Sequence, residues 1–413
     1  MDAALQRELA DLDAQHLRRR LQVVEAVLPA GKVQVNGQVL LNLSANDYLG
    51  LATDPRLIAA AQEAAARWGA GSTASRLIVG TYALHQEVEE AVARFKDTPR
   101  AILFNTGYMA NVGVIAALMA KGDVILSDKL NHASIVDGMR LAGAAFFRYP
   151  HRDLERLETL LKKQSRARRI LIITDSVFSV DGDVAPLQDL VTLKERYGAW
   201  LLIDEAHATG IFGAKGAGLA EALGLTDAID IHLGTFSKAL GSFGAYVAGS
   251  ASLIEVLYNK ARSFIYSTAL PPPVLGAMQT ALDIVRQEPP RRAYLLEQAA
   301  LFRQRLQQSG LDTLGTETQI IPVLVGDNAR ALDYAASLRR QGIMAVAIRP
   351  PTVPPGTARL RFSLSAVHDP DELAQAATTI GQVGAQLGIS HQKEWQTGLS
   401  AGRVNLFQKP RRS

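Results

Sequence analysis

Cysteine is absent from all 413 residues, which excludes disulfides and thiolate metal sites. Such a chain suits a reducing cytoplasm, and a cytoplasmic protein is expected. No uninterrupted apolar stretch approaches the ~20 residues that a membrane helix needs, so no membrane partner is expected. The start, Met1-Asp2-Ala3-Ala4-Leu5-Gln6-Arg7-Glu8, has no basic run leading into an apolar stretch, so no secretory signal is expected. Aromatic residues make up only 6% of the chain. They build no platform with the basic residues, and nucleic acid is not an expected partner. Walker A, His-Glu-x-x-His and nucleophile-elbow patterns are missing. The glycine-rich run Gly213-Ala214-Lys215-Gly216-Ala217-Gly218 lacks dinucleotide-binding spacing and strand context. The charge of one sign is also slight, with a formal net charge of +4. Basic clusters at Arg18, Arg19 and Arg20, at Arg166, Arg168 and Arg169, and at Lys409, Arg411 and Arg412 read as solvated faces. They also read as attraction for an acidic carrier or a phosphorylated substrate.

What is present is an ordinary globular composition, 48% hydrophobic and 20% charged, long enough for more than one core. The spacing of Leu5, Leu9, Leu12 and Leu21 predicts an amphipathic helix over 3–26. Lys32-Val33-Gln34-Val35, Gly37 and Val39-Leu40-Leu41-Asn42-Leu43 then read as a small hairpin. Apolar strands follow at 101–104, 124–126, 145–147, 170–173, 201–203, 231–233 and 245–248, with helical segments between them. This pattern predicts an α/β fold with a mostly parallel sheet flanked by helices. Glu288-Pro289-Pro290 reads as a boundary. Beyond it a helix near 291–309, strands near 320–325, 343–348 and 358–364, and helices near 328–341 and 371–386 predict a smaller C-terminal α+β domain. The expected organisation is 1–45, N-terminal helix and hairpin; 46–288, large domain; 289–389, small domain; and 390–413, polar tail.

Ligands bind such sheets at the carboxyl ends of the strands. Asp204 ends the apolar run Trp200-Leu201-Leu202-Ile203, and His207 follows it. Lys238 closes Gly234-Thr235-Phe236-Ser237-Lys238 on a small-residue turn. A strand-end acid and a lysine placed in this way suit pyridoxal phosphate. Lys238 would hold the aldehyde as a Schiff base, and Asp204 would keep the ring nitrogen protonated by opposite charge. The plainer reading of Asp204 is a cap for the next turn. That of His207 is a satisfied structural histidine, against a contact with the ring's phenolic oxygen. Thr235 and Ser237 offer hydroxyls to a phosphate. Asn105-Thr106-Gly107-Tyr108 opens an apolar helix, where free N–H groups and the helix dipole favour phosphate. His132, after the second strand, could stack on the ring, and Ser179 is available as a donor near it.

On these motifs the chain resembles the α-oxoamine synthases of the fold-type I pyridoxal phosphate enzymes. The likeness runs from Ser44-Ala45-Asn46-Asp47-Tyr48-Leu49-Gly50-Leu51 through Asp204-Glu205-Ala206-His207 and Lys238 to the C-terminal domain. Ile348-Arg349-Pro350-Pro351-Thr352-Val353-Pro354 and the stretch to Arg361 resemble the members that make 8-amino-7-oxononanoate for biotin. The resemblance implies an acyltransferase that condenses L-alanine with a pimeloyl thioester, on acyl carrier protein or coenzyme A, with loss of carbon dioxide. It implies that Lys238 carries the cofactor and removes the Cα proton. It places His132 over the ring, with Gly107, Tyr108, Ser179, Asp204, His207 and Thr235 on the cofactor. Arg18, Asn46, His132, Arg349, Thr352 and Arg361 would contact substrate, with Arg361 on the amino-acid carboxylate. It implies a homodimer with shared active sites, in which Ser267 and Thr268 reach the partner subunit's phosphate. The sequence departs from many relatives at Thr73-Ala74, where they have two glycines, and from some at Ser237. Sister readings are a glycine-using synthase (glycine C-acetyltransferase or 5-aminolevulinate synthase) and, more remotely, a pyridoxal phosphate lyase.

Overall fold

The computed structural model describes residues 1–389, so the expected polar tail lies outside the described residues. Its centre is a seven-stranded sheet. Across the sheet the strands run Arg100–Phe104, Ala245–Gly249, Ile231–Thr235, Trp200–Asp204, Ile170–Asp175, Val124–Asp128 and Ala145–Tyr149. Ala245–Gly249 is antiparallel to both neighbours, and the pairings from Ile231–Thr235 to Ala145–Tyr149 are parallel. Every residue of Ile170–Asp175 and of Ile231–Thr235 is buried. That is why these strands read as unbroken apolar runs: both faces are covered. Successive residues point to opposite faces. Leu171 and Ile173 enter one core with Leu202 and Val247, while Ile172 enters the other with Leu201 and Ile203.

The C-terminal part begins where Pro272–Gln287 ends and Pro289–Gln308 starts. Proline at the first helical turn costs no hydrogen bond, since its missing N–H would have had no partner there. A three-stranded sheet follows, in the order Ile320–Gly326, Ala358–Ser363, Val346–Ile348. Helices Asn328–Arg340 and Pro370–Gln386 accompany it. The N-terminal hairpin, Lys32–Val35 with Gln38–Asn42, does not stand apart. Leu41 and Asn42 pair in parallel with Ile343 and Met344, so the hairpin and a strand of the C-terminal part share one sheet.

The N-terminal expectation is corrected. The helix spans Asp2–Ala14, not 3–26, and buries none of its residues. His16 takes a left-handed conformation at φ 55, which breaks the helical hydrogen-bond run. Leu21 is fully exposed. The leucine spacing is real, but no surface among the described residues buries the stripe that would have sustained a longer helix.

The departure at Thr73 has a backbone cost. Thr73 sits at φ 56, a region that β-branched residues occupy at a penalty. The loop is held there because Ser72 Oγ donates to Leu270 O at 2.6 Å and Ala269 N donates to Ala74 O at 2.9 Å. Thr73→Gly is therefore expected to stabilise the protein by about 1 kcal/mol, the strain relieved exceeding the extra chain entropy of glycine. Thermal unfolding of the two proteins checks this, and a less stable glycine variant would refute it.

Candidate active site

The carboxyl ends of three neighbouring parallel strands deliver Asp175, Asp204 and Thr235 side by side. Lys238 follows Thr235 on a turn that the two hydroxyls shape. Thr235 Oγ1 donates to Gly244 O at 2.7 Å and accepts from Ser237 N at 3.1 Å, while Ser237 Oγ accepts from Gly244 N at 3.1 Å. Lys238 Nζ and His207 Nε2 share a hydrogen bond of 2.9 Å. His207 Nδ1 lies 2.7 Å from Tyr48 Oη, which lies 3.0 Å from Asn46 Oδ1. Arg361 Nη2 donates to both Tyr48 Oη and Asn46 Oδ1 at 3.1 Å. One polar chain thus runs from the lysine to the arginine.

Burial lowers the Lys238 amine to about 8, and Arg361 adds to this against the pull of Asp204 and Asp175. Burial, then Lys238, Arg361 and His132, push His207 well below the ordinary histidine range. A neutral His207 that accepts from the lysine at Nε2 carries its proton on Nδ1, where it donates to Tyr48. Only the neutral amine of Lys238 can take a proton. A step that uses it as base is expected to speed up about tenfold between about pH 7 and about pH 9. The kcat profile checks this, as does the rate of acylation of Lys238 in cofactor-free protein, which should titrate at the same pH. A flat profile in both would contradict it.

Asp204 is buried. Its Oδ2 accepts from Asn111 Nδ2 at 2.8 Å and its Oδ1 from Ala206 N at 2.9 Å. Both donors are neutral, and a buried carboxylate held only by neutral donors calls for a cation. A pyridinium nitrogen fits that need. Asn111 Nδ2 also reaches Ser134 Oγ at 3.0 Å, and Ser134 Oγ lies 2.7 Å from His132 Nδ1. Asp175 Oδ2 accepts from His132 N at 3.0 Å. Burial and then the charge of Asp204, its register partner, drive the Asp175 carboxyl well above the usual range. Burial lowers His132, outweighing the opposite pull of Asp204.

The phosphate end is a helix start. Thr106 caps Gly107–Leu118 by accepting from Met109 N at 3.1 Å. A Cβ built on Gly107 would meet no atom within 4 Å, so this helix end opens onto free space. Asn105 Nδ2 donates to Thr268 O at 2.8 Å, which places Ser267 and Thr268 beside this turn within the chain. Tyr108 Oη donates to Asp137 Oδ2 at 2.6 Å. These residues, with Lys238 and Asp204, fit pyridoxal phosphate.

Other expected residues lie further out. Ser179 O accepts from Arg361 Nε at 2.5 Å, while Arg361 Nη1 donates to Ser363 Oγ at 2.7 Å. Arg18 pairs with Asp13 at 2.6 Å. Its neighbour Arg19 is the one that reaches Thr352 Oγ1, at 3.4 Å. Arg349 donates to His16 O, so the N-terminal arm lies on the segment 349–352. Three residues were given no role of their own by sequence reasoning. Asn111 is a polar residue in an apolar helix, Asp175 ends an apolar strand as Asp204 does, and Tyr48 stands two places after Asn46. Those placements were the available signals.

Fold and site together define a pyridoxal phosphate enzyme of fold type I. The chain belongs to the class I and II aminotransferase family, whose description matches residues 38–380. It is 50% identical over 384 residues to the 8-amino-7-oxononanoate synthase of Citrifermentans bemidjiense, covering 92% of this chain and 98% of that protein. It is also 50% identical over 391 residues to the Geobacter sulfurreducens enzyme of the same name, covering 94% and 100%. Among solved structures, Sphingomonas wittichii serine palmitoyltransferase superposes with a TM-score of 0.89 at 33% identity, over 94% of this chain and 98% of that one. The 8-amino-7-oxononanoate synthase of Francisella tularensis does so with 0.72 at 28%, over 84% and 98%. The protein is thus a pyridoxal-phosphate-dependent acyltransferase of the group that serves biotin synthesis. No helix among the described residues is long and apolar enough to cross a membrane.

Proposed function

We propose that the enzyme condenses L-alanine with a pimeloyl thioester, releasing carbon dioxide and the free thiol and forming 8-amino-7-oxononanoate. The observation that carries this reading is the chain Lys238–His207–Tyr48–Arg361, which links a base of lowered basicity to a buried arginine. Bound pyridoxal phosphate supplies an aldehyde that takes up amines and a ring that withdraws electrons. Lys238 Nζ holds that aldehyde between turnovers and takes the proton from the alanine Cα. His207 steadies the amine at 2.9 Å. Arg361 presents a planar fork to the carboxylate that is later lost, with Asn46 beside it. Asp204 would pair with the ring nitrogen, and His132 would stack on the ring. Gly107, Tyr108, Ser179 and Thr235 complete the cofactor site, and Arg18, Arg349 and Thr352 border the thioester's entry.

The enzyme acts as a homodimer in this reading. Leu77, Ile78 and Val79 are a run of three apolar residues at 54%, 74% and 71% exposure. They follow the loop that packs on 269–270, next to Ser267 and Thr268. A second subunit is the natural cover for such a run, and would bring Ser267 and Thr268 to its phosphate. A cysteine-free enzyme of thioesters also suits a reducing cytoplasm. The basic residues Arg18–Arg20 suit an acidic carrier protein as donor.

The test is a product assay that offers L-alanine, glycine and L-serine with pimeloyl carrier protein, pimeloyl-CoA, acetyl-CoA and palmitoyl-CoA. The expected outcome is the greatest turnover with L-alanine and a pimeloyl thioester. Faster turnover of glycine with acetyl-CoA, or of serine with palmitoyl-CoA, would overturn the assignment.

A further inference from the structure

Between Asp175 and the helix Leu187–Tyr197 the chain folds back on itself. Val177 and Val184 form an antiparallel bridge. Phe178 N donates to Asp183 O and Gly182 N to Phe178 O, each at 2.9 Å. Inside this closed turn Asp181, Gly182 and Asp183 reach in three directions. Asp181 pairs with the buried Arg359. Gly182 O accepts from Thr316 Oγ1 at 3.0 Å and Thr318 Oγ1 at 2.8 Å. Gly182 has a φ of +67, and a Cβ there would stand 2.3 Å from Ile320 O, so only glycine allows this approach. Asp183 Oδ2 lies 2.6 Å from His151 Nε2 and 3.6 Å from Arg152 Nη1. His151 Nδ1 in turn lies 3.0 Å from Asp128 Oδ1 at the end of the next strand. Burial opposes a charge on His151, yet Asp128 and Asp183 raise it to about 9 and keep it cationic at neutral pH.

The same turn carries Ser179, whose carbonyl holds Arg361 Nε. Arg359 and Arg361 stand two residues apart on one strand, so both point to the same face. The turn therefore holds both arginines, one by a carboxylate and the other by a carbonyl. Catalytic geometry is sensitive to shifts of about 1 Å. Ser363, Asn46 and Tyr48 hold the two ends of the Arg361 fork, and Ser179 fixes its Nε root, so the fork's direction depends also on where Ser179 sits, which its three anchors decide.

We propose that Asp181, Gly182, Asp183 and His151 form a positioning junction that aims Arg361 at the substrate carboxylate, and so sets amino-acid affinity without touching the amino acid. This rests on the reading that Arg361 binds that carboxylate. The experiment is titration of L-alanine into holoenzyme without thioester, followed by cofactor absorbance, for Asp181→Asn, His151→Gln and Arg361→Met. For Asp181→Asn the dissociation constant is expected to rise about tenfold, while kcat at saturating alanine changes less than about threefold. His151→Gln should move the dissociation constant in the same direction. Adding Arg359→Gln to Asp181→Asn should recover part of the affinity, because it removes the stranded buried charge. Wild-type affinity in both Asp181→Asn and His151→Gln, with Arg361→Met weakened, would overturn the junction alone. Unchanged affinity in Arg361→Met would overturn the carboxylate reading itself. A joint fall of affinity, kcat and melting temperature that Arg359→Gln leaves uncorrected would show a merely structural turn, and would also overturn the proposal.

Discussion

Lys238→Ala is expected to lower turnover by at least about a thousandfold under saturating cofactor, because a positioned base alone contributes roughly 10²- to 10⁴-fold and this lysine, in the proposed reading, also holds the cofactor. The alanine removes the Nζ that His207 meets at 2.9 Å. No second amine takes its place. Among the described residues Lys96 is the lysine that is buried, and it pairs with Glu205 and donates to Ala217 O at 2.7 Å. The measurements are turnover with added cofactor, and borohydride reduction followed by peptide mass mapping. The wild type should carry the reduced cofactor on the peptide with Lys238, and the variant on none. A variant that kept a tenth of the activity would sink the role given to this residue. Its melting temperature should stay near that of the wild type, since the turn 235–244 is held by Thr235, Ser237 and Gly244 rather than by the lysine.

The sheet was legible because its strands are covered on both faces, and double burial writes itself as unbroken apolar runs such as Ile170-Leu171-Ile172-Ile173. Lys238, Asp204 and His207 could be singled out because strand ends are where such sheets bind ligands, and the structure does bring Lys238 and His207 together at that edge. Other features left weaker marks. Tyr48 meets His207 from 159 residues away and Arg361 meets Tyr48 from 313 residues away, and only the packing of distant segments brings them there. Arg19 rather than Arg18 reaches Thr352 because Asp13 holds Arg18. A choice between neighbouring arginines depends on rotamers and not on pattern. The N-terminal helix was overread for a related reason. Leucine spacing states what a helix could bury, while burial itself depends on a surface elsewhere in the chain.

The second large effect concerns stability. Lys96→Met is expected to cost about 3–5 kcal/mol, the usual result of breaking a buried ion pair from one side. Both side chains are almost wholly buried, at 2% and 0% exposure. Burial alone would raise the Glu205 carboxyl, but Lys96 and then His232 outweigh it and hold it at about 2. Glu205 Oε1 also accepts from Ala220 N at 3.0 Å. The sign with pH follows from the depressed value. In the wild type the ionised Glu205 stabilises the fold above its unfolded value near 4.5, and this is lost as pH falls through about 2. Without Lys96, burial prevails and the carboxyl takes a proton more readily in the folded protein. The gap between variant and wild type should therefore narrow as pH falls from neutral towards the unfolded value. Adding Glu205→Gln to Lys96→Met removes the stranded charge, keeps an acceptor for Ala220 N, and should restore much of the loss. Glu205 directly follows Asp204 and lies two residues before His207, and its backbone N is fixed to Leu233 O at 2.8 Å. Loosening it displaces two groups assigned to the cofactor in the proposed reading, so cofactor affinity should fall in Lys96→Met and return in the double variant. Unfolding curves at two pH values and cofactor titration decide the matter. A loss below about 1 kcal/mol in Lys96→Met, the range of exposed pairs, would show that the interior accommodates the lone carboxylate in some other way.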